Sequence, residues 1–552
     1  MRTGAETLIF WGAGATASVG LHSTEGQSKA IQQLSGEGTC KARANTVLPK
    51  TGNWADLLAD LLLVLGDDVK GDAIYSISGN ARSAMGRHWK DTSQAALDAR
   101  IHHLRAVFDW PALRDVVRAS PGFNVEEEVR LKLQDVFNLI DIHVHSNFHG
   151  FRGHNGFLTP DRLVAARRTL QLILNTLFFV DWQIALSDNV AELDKHLDFA
   201  RRLTEHHQQR GMELATAQAL ESRDFYLGDV AFVSLNYDPV ALWSQFIANR
   251  EANNASPPCI GVPRVPLKIF HDFGIFMAVS TIDGGADKGP GRERVWYPLN
   301  EASAQRLNDR DHVSRRVRIN KFLFPHGCLC WRECPSCGKL TAYMGKEWKF
   351  LSHALIPPPP LQGFVKLAGY ELPPEDGEFE AWARGEVDAR ACVHCGELTF
   401  AQHTQAVMQS NFKAPPPSFI EEVQRDLRVA TQAANHVILM GYSLPPDDVT
   451  YRAFFAARRQ KRSHGGGDRP IVRCSVVGIG YDDHWHGPDE IDQMLPKMEK
   501  GVSPRTTLEA ARDLFGRGNV RFFGGGIPQV FCERDTASPR RFQQLIDWTS
   551  AT

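Results

Sequence analysis

Five short stretches of this chain combine residue types and spacings able to do chemistry. The first is Phe10-Trp11-Gly12-Ala13-Gly14-Ala15-Thr16-Ala17-Ser18-Val19-Gly20. An apolar run enters a glycine-rich turn, and a helix is expected to follow. Glycines let a backbone approach a diphosphate, and a helix N-terminus offers it unpaired N–H groups. Small-residue turns also follow strands simply for packing. The acidic residue that a dinucleotide fingerprint places about 20 residues on is missing. Ser23 to Cys40 is polar and shows no second strand.

The second is Cys334-Pro-Ser-Cys337 with Cys392-Val-His-Cys395. Each pair can supply two thiolates to tetrahedral zinc. Cys337 and Cys395 each precede a glycine, which suits a tight turn under a metal, although 54 residues separate the pairs. A closed four-thiolate site would brace the fold rather than catalyse. Cys328, Cys330, Cys334 and Cys337 form a compact rival set for an iron–sulfur cluster, which leaves the second pair unused.

Three further stretches end apolar runs. In Ser234-Leu235-Asn236-Tyr237-Asp238-Pro239, polar residues stand where ligands meet a parallel strand, although Asn-x-Asp-Pro is also a common turn. In Phe324-Pro325-His326-Gly327, the histidine is a candidate general base. In Ile438-Leu-Met-Gly441-Tyr-Ser443-Leu-Pro445, a glycine and a hydroxyl are placed to meet phosphate or ribose. Asp141-Ile-His143-Val-His145 has a His-x-His pair inside a helical pattern, where i and i+2 diverge, so no metal is expected there.

These residues need elements to hold them. Thr7 to Trp11, Val230 to Leu235, Lys321 to Phe324, His436 to Met440, Val472 to Val477 and Val520 to Phe523 read as buried strands. Separated by helical patterns, they imply an α/β fold with a doubly wound, parallel, Rossmann-like sheet. Helices are expected over Trp54 to Leu65, Val125 to Ile142, Arg162 to Ile184 and Val190 to Leu214, with Pro160-Asp161 opening the third. The segments 1–50, 226–327 and 430–552 are assigned to the sheet domain. Residues 51–225 are assigned to a helical insertion, and 328–429 to a zinc module. Thr281 to Arg294 reads as a loop, and Pro357 to Pro360 and Pro415 to Pro417 as stiff connectors.

Composition narrows the class. Of 552 residues, 43% are hydrophobic and 23% charged, which excludes a largely disordered chain. The formal charge of −2 gives no reason to expect direct nucleic-acid binding. Ten cysteines are too few for a disulfide scaffold. The N-terminal apolar run is too short for a signal peptide. Leu170 to Val180 carries Gln171, Asn175 and Thr176 and is too short for a bilayer, so no membrane partner is expected and the location is expected to be cytoplasmic.

The order of the five stretches resembles the sirtuin layout, and most closely the divergent bacterial sirtuin-like NADase domains. Those domains carry Thr-Asn-Tyr-Asp, where this chain has Leu235-Asn236-Tyr237-Asp238. They carry His-Gly-Ser-Leu-Asn-Trp before a zinc knuckle, where this chain has His326-Gly-Cys-Leu-Cys-Trp331. Their Gly-Tyr-Ser-Leu-Pro is matched in full by Gly441 to Pro445. The motifs run from residue 12 to about residue 445 and leave the helical insertion uncovered. Protein deacetylases continue the glycine loop as Gly-Ile-Pro-x-Phe-Arg, but here Gly20-Leu-His22-Ser-Thr24-Glu25 follows. Their Phe-Gly-Glu acyl-peptide stretch is also missing after the second cysteine pair.

The resemblance implies a sirtuin-type fold and NAD⁺ glycohydrolase activity in bacterial anti-phage defence. It implies catalytic roles for Asn236, His326 and Asp238, and NAD⁺ contacts from Gly12, Ala13, Gly14, Thr16, Gly20, Gly441 and Ser443. Structural Zn²⁺ would sit on Cys334, Cys337, Cys392 and Cys395. Unchecked NAD⁺ loss would kill the host, and no sensing segment is recognised. Control is therefore expected from self-assembly or from a partner such as a ring ATPase or an Argonaute-like protein. A deacylase or ADP-ribosyltransferase, and a non-catalytic NAD⁺ or ADP-ribose sensor, stay open as alternatives.

Overall fold

The computed structural model of the chain describes residues 6–48, 52–69, 76–89, 92–123, 131–145, 151–153, 156–217, 229–254, 267–272, 277–280, 294–296, 316–333, 336, 340–342, 355–356, 358–369, 390–391, 398–399, 404–406, 418–446, 448–462, 472–501, 503–533 and 536–548. Its centre is an eight-stranded sheet. The strands are β1 (Thr7–Trp11), β2 (Val230–Ser234), β3 (Leu267–Asp272), β4 (Arg316–Leu323), β5 (His436–Met440), β6 (Arg473–Val477), β7 (Trp485–His486) and β8 (Val520–Phe523). Their spatial order is β7-β8-β6-β5-β1-β2-β4-β3. Seven strands run parallel, and the short edge strand β7 runs antiparallel to β8. β1, β2 and β5 are buried along their whole length. A central parallel strand covered on both faces needs an unbroken apolar run, and TLIFW, VAFVS and HVILM supply one.

β1 pairs in register with β5 on one side (Thr7 opposite His436) and with β2 on the other (Thr7 opposite Val230). The chain fills the β2 side first, through β3 and β4. It then crosses to β5 on the opposite side of β1. The sheet therefore reverses direction between β1 and β5, and the crevice at their carboxyl ends is where doubly wound sheets take ligands.

Nine helices are described between β1 and β2. They are α1 (Thr24–Ser35), α2 (Cys40–Val47), α3 (Gly52–Val64), α4 (Gly79–Gly86), α5 (Gln94–Val107), α6 (Trp110–Ala119), α7 (Leu133–His145), α8 (Pro160–Asp188) and α9 (Val190–Ala217). The expected helices near 54, 162 and 190 are present. The one expected from Val125 is described only from Leu133. The glycine turn does not open into an α-helix as expected. Two short 3₁₀ turns, Ala13–Ala15 and Ala17–Val19, intervene, and α1 starts only at Thr24. Ser23 caps α1 by accepting from Gly26 N–H at 3.1 Å.

α8 is the one helix among the described residues long and apolar enough to cross a membrane, and most of its apolar stretch is packed inside the protein. α9 covers the sheet itself. Its Phe199 stacks on Trp11 of β1 at 6.0 Å, and its His196 bonds the Ala15 carbonyl at 2.9 Å.

A second sheet orders Thr404–Ala406, Gly327–Glu333, Leu340–Ala342, Met277–Ser280 and Arg294–Trp296. It thus draws strands from before residue 328 as well as after it. Cys334, Cys337, Cys392 and Cys395 lie outside the described residues, as do 281–293, Pro357 and Pro415 to Pro417. The described arms around both cysteine pairs are informative. Leu340–Ala342 runs antiparallel to Gly327–Glu333, and Arg390–Ala391 runs antiparallel to Leu398–Thr399. In sequence, each Cys-x-x-Cys therefore falls between two paired antiparallel strands.

Candidate functional site

A cavity of about 730 Å³ opens at the carboxyl ends of β1, β2, β4 and β5. Gly12, Ala13 and Thr16 reach it from the turn after β1, and Asn236 and Asp238 from the turn after β2. His326 follows β4, and Gly441 and Ser443 follow β5. Four stretches scattered along the sequence thus line one space. Gly14 and Gly20 are not among its lining residues.

The glycines do something the sequence did not disclose. Gly14 N–H donates to the Gly441 carbonyl at 3.0 Å, and Gly12 N–H donates to the Met440 carbonyl at 2.9 Å. A Cβ on Gly12 would lie 2.5 Å from the Gly441 oxygen, and one on Gly441 2.1 Å from Ala15 N. Gly441 also adopts φ +62°, a left-handed conformation that side chains disfavour. These glycines let the two strand-end turns interlock, and Gly14 belongs to that contact alone. Gly20 takes φ +91° to close the second 3₁₀ turn, beside Asn189.

Polar groups converge behind the turn. Asn236 Nδ2 donates to Thr16 Oγ1 at 3.3 Å, and Thr16 Oγ1 lies 3.2 Å from Asp238 Oδ2. Asp238 Oδ1 accepts from Val240 N–H at 3.0 Å. All three side chains are buried. Burial pushes the Asp238 carboxyl up to about 6, against hydrogen bonds from Val240, Thr16 and Asn236 that favour the carboxylate. At neutral pH Asp238 is therefore mostly a buried negative charge beside the cavity.

His326 sits at a tight turn, where Gly327 N–H donates to the Phe324 carbonyl at 2.9 Å with Gly327 at φ +76°. Its Nδ1 lies 3.2 Å from the Leu235 carbonyl. That acceptor places the ring proton on Nδ1 and makes Nε2 the basic nitrogen. The rings of Tyr237 and Tyr451 pack around it at 6.2 and 5.5 Å. Cys328 is buried, with Sγ 3.6 Å from the Tyr237 carbonyl, so it packs against the wall of this site.

Other lining residues escaped the sequence reading. His22, Gln27 and Ser28 come from the start of α1 and the turn before it. Lys132 and Phe137 come from α7 and its approach, and Phe178 comes from α8. The helical insertion thus closes one side of the cavity. His22 Nδ1 contacts Asp181 of α8 at 2.7 Å, and His22 N–H donates to the same carboxylate at 2.9 Å. Burial opposes a charged ring there, yet the Asp181 hydrogen bond and charge raise the His22 pKa overall. The available signal was Asp181 itself, a carboxylate in an apolar helix, since a buried charge needs a partner. Beyond β5, Leu444 is a non-glycine residue at φ +50°, with Ser443 and Pro445 on either side lining the cavity. Asp448 accepts from Tyr442 OH at 2.7 Å and steadies this turn.

His143 Nδ1 lies 2.8 Å from the Leu139 carbonyl within α7. No family model matches the chain, and no curated protein matches it.

Proposed function

We propose that the protein hydrolyses NAD⁺ to nicotinamide and ADP-ribose, with the cavity between β1, β2, β4 and β5 as its active site. The observation that carries this reading is the convergence of Thr16, Asn236, Asp238 and His326 on one cavity at the sheet's switch point. The scissile bond joins a ribose carbon to a cationic ring nitrogen. Positive charge builds on the sugar as it breaks, so positioning and electrostatics matter more than a strong nucleophile.

Each residue then has a task. The Asp238 carboxylate favours the cationic ring and the developing oxocarbenium charge. The Thr16 hydroxyl fixes the Asn236 amide, which orients the nicotinamide ribose or the attacking water. His326 Nε2 takes the proton from a ribose hydroxyl or the water. Gly12, Ala13 and Thr16 hold the diphosphate side, and Gly441 and Ser443 the adenosine side. The four knuckle cysteines would hold one structural Zn²⁺ as thiolates, bracing the sheet that leaves His326. The paired strands flanking each Cys-x-x-Cys fit that donor set. An effector of this kind in anti-phage defence would be held in check by self-assembly or by a partner protein such as a ring ATPase or an Argonaute-like protein.

The test is a product assay with NAD⁺, with and without an acyl-lysine peptide. Nicotinamide and ADP-ribose are expected without peptide. His326→Ala and Asn236→Ala should each lower the rate by about 10²–10⁴-fold with the fold intact. Wild-type turnover in both variants removes the assignment. O-acyl-ADP-ribose formed only with peptide makes the protein a deacylase. NAD⁺ binding without turnover, under every condition of assembly, makes it a sensor.

A further inference from the structure

We infer that Asp482, His484 and His486 form a binding site for a divalent transition metal, separate from the cavity. The segment leaving β6 bends at Asp483 and His484 and ends in β7, which pairs with β8 (Trp485 opposite Phe523, His486 opposite Phe522). Asp483 and Trp485 are engaged by neighbouring side chains. Asp483 pairs with Arg541 at 2.9 Å, and the Trp485 ring packs on Phe523 at 5.4 Å with the Arg521 guanidinium 4.1 Å from it. The side chains of Asp482, His484 and His486 gather instead around one another.

Their donor atoms already cluster. One ligand atom from each of the three lies within 4.8 Å of the other two. His486 Nε2 is 2.6 Å from Asp482 Oδ1, His484 Nδ1 is 3.3 Å from Asp482 Oδ2, and the two rings are 4.1 Å apart. Two imidazoles and a carboxylate around a metal at about 2.0–2.2 Å need only small side-chain rotations from there. His484 and Asp482 are both more than half exposed and can make them, whereas His486 is buried against Phe522 and supplies the fixed point.

An outer group is in place as well. Glu490, on the helix Pro488–Met494, has Oε2 3.7 Å from His486 Nδ1 and accepts from Gly487 N–H at 2.9 Å. A carboxylate on that side favours the proton on Nδ1 and leaves Nε2 for the metal. Two nitrogen donors and one carboxylate suit Zn²⁺, Ni²⁺, Co²⁺ or Cu²⁺ rather than Mg²⁺ or Ca²⁺. Three protein ligands leave positions open to water or to an anionic ligand.

The test is calorimetric titration of the full-length chain with NiCl₂. Wild type is compared with His484→Ala and Asp482→Asn, which alter exposed side chains, and with His145→Ala as a control. Wild type and His145→Ala are expected to show a binding event that weakens more than about tenfold in both site variants, since losing a ligand costs at least as much as losing its outer-shell support. Identical titrations of wild type, His484→Ala and Asp482→Asn, with unchanged circular dichroism, overturn the site. Cysteine-bound metal is common to all four proteins and cancels in the comparison.

Discussion

The backbone N–H of Gly14 donates to the carbonyl of Gly441 across 3.0 Å, so the turn after β1 and the turn after β5 touch without a side chain between them. Each turn supplies part of the cavity wall. The expected effect of Gly441→Ala follows. A methyl group would meet Ala15 N at 2.1 Å, on a residue held at φ +62°. Left-handed strain and overpacking together should cost about 2–5 kcal/mol in a denaturant titration. Ser443→Ala, at an exposed position, should leave stability unchanged.

Asp238 should govern the acid limb of the proposed activity. Its pKa of about 6 means the charge needed beside the cation is lost as pH falls through that value. The rate should therefore rise through about pH 6 to a plateau, and Asp238→Asn should be slow at every pH with that limb gone. Stability moves the other way. A carboxyl raised from 3.8 to about 6 stabilises the fold fully below 3.8 and loses that contribution as pH climbs through about 6. Relative to wild type, Asp238→Asn should become progressively more resistant to urea between about pH 4 and about pH 7. A constant difference would show that Asp238 does not titrate there.

Thr16→Val keeps the shape and removes the hydroxyl between Asn236 and Asp238. Asp238 loses a hydrogen bond that favours its charged form, so the acid limb should move to higher pH. The plateau rate should also fall, because the Asn236 amide loses its anchor. An unmoved limb with an unchanged plateau would remove Thr16 from the site.

Asp181→Asn tests the brace between α8 and the loop before α1. His22 is raised above its ordinary 6.5 by Asp181, so the pair contributes in full below 6.5 and fades as pH passes the raised value. The urea midpoint should drop clearly at about pH 5.5 and much less at about pH 9. An equal drop at both would mean that the hydrogen bond to the His22 amide, not the ring's charge, holds the loop.

If the four cysteines hold a metal as proposed, Co²⁺ in its place should show thiolate charge-transfer absorption, weakened in Cys334→Ser and in Cys395→Ser alike. Weakening in only one of them would break the four-thiolate assignment.

The strands were written locally. Thr7–Trp11, His436–Met440 and Val520–Phe523 run over the expected residues, because a strand buried on both faces is mostly apolar, even with His436 and Arg521 buried among them. The long helices α8 and α9 were legible for the same reason, in helical period. α1 was not. Its inner face carries Gln27, Ser28 and Ser35 beside Ala30, Ile31 and Leu34, so hydrophobic spacing alone does not mark it. The candidate residues Asn236, His326 and Gly441 were legible because unusual residue types follow strand ends.

Their meeting at one cavity was decided only by the strand order, which sets β2, β1 and β5 side by side and β4 next to β2. Tertiary structure also decided that Gly14 serves a turn-to-turn contact, that Asp181 finds His22, and that Asp482, His484 and His486 gather their donor atoms together. Pairing between distant segments depends on which surfaces the whole chain buries together, and a local pattern carries no record of its partner.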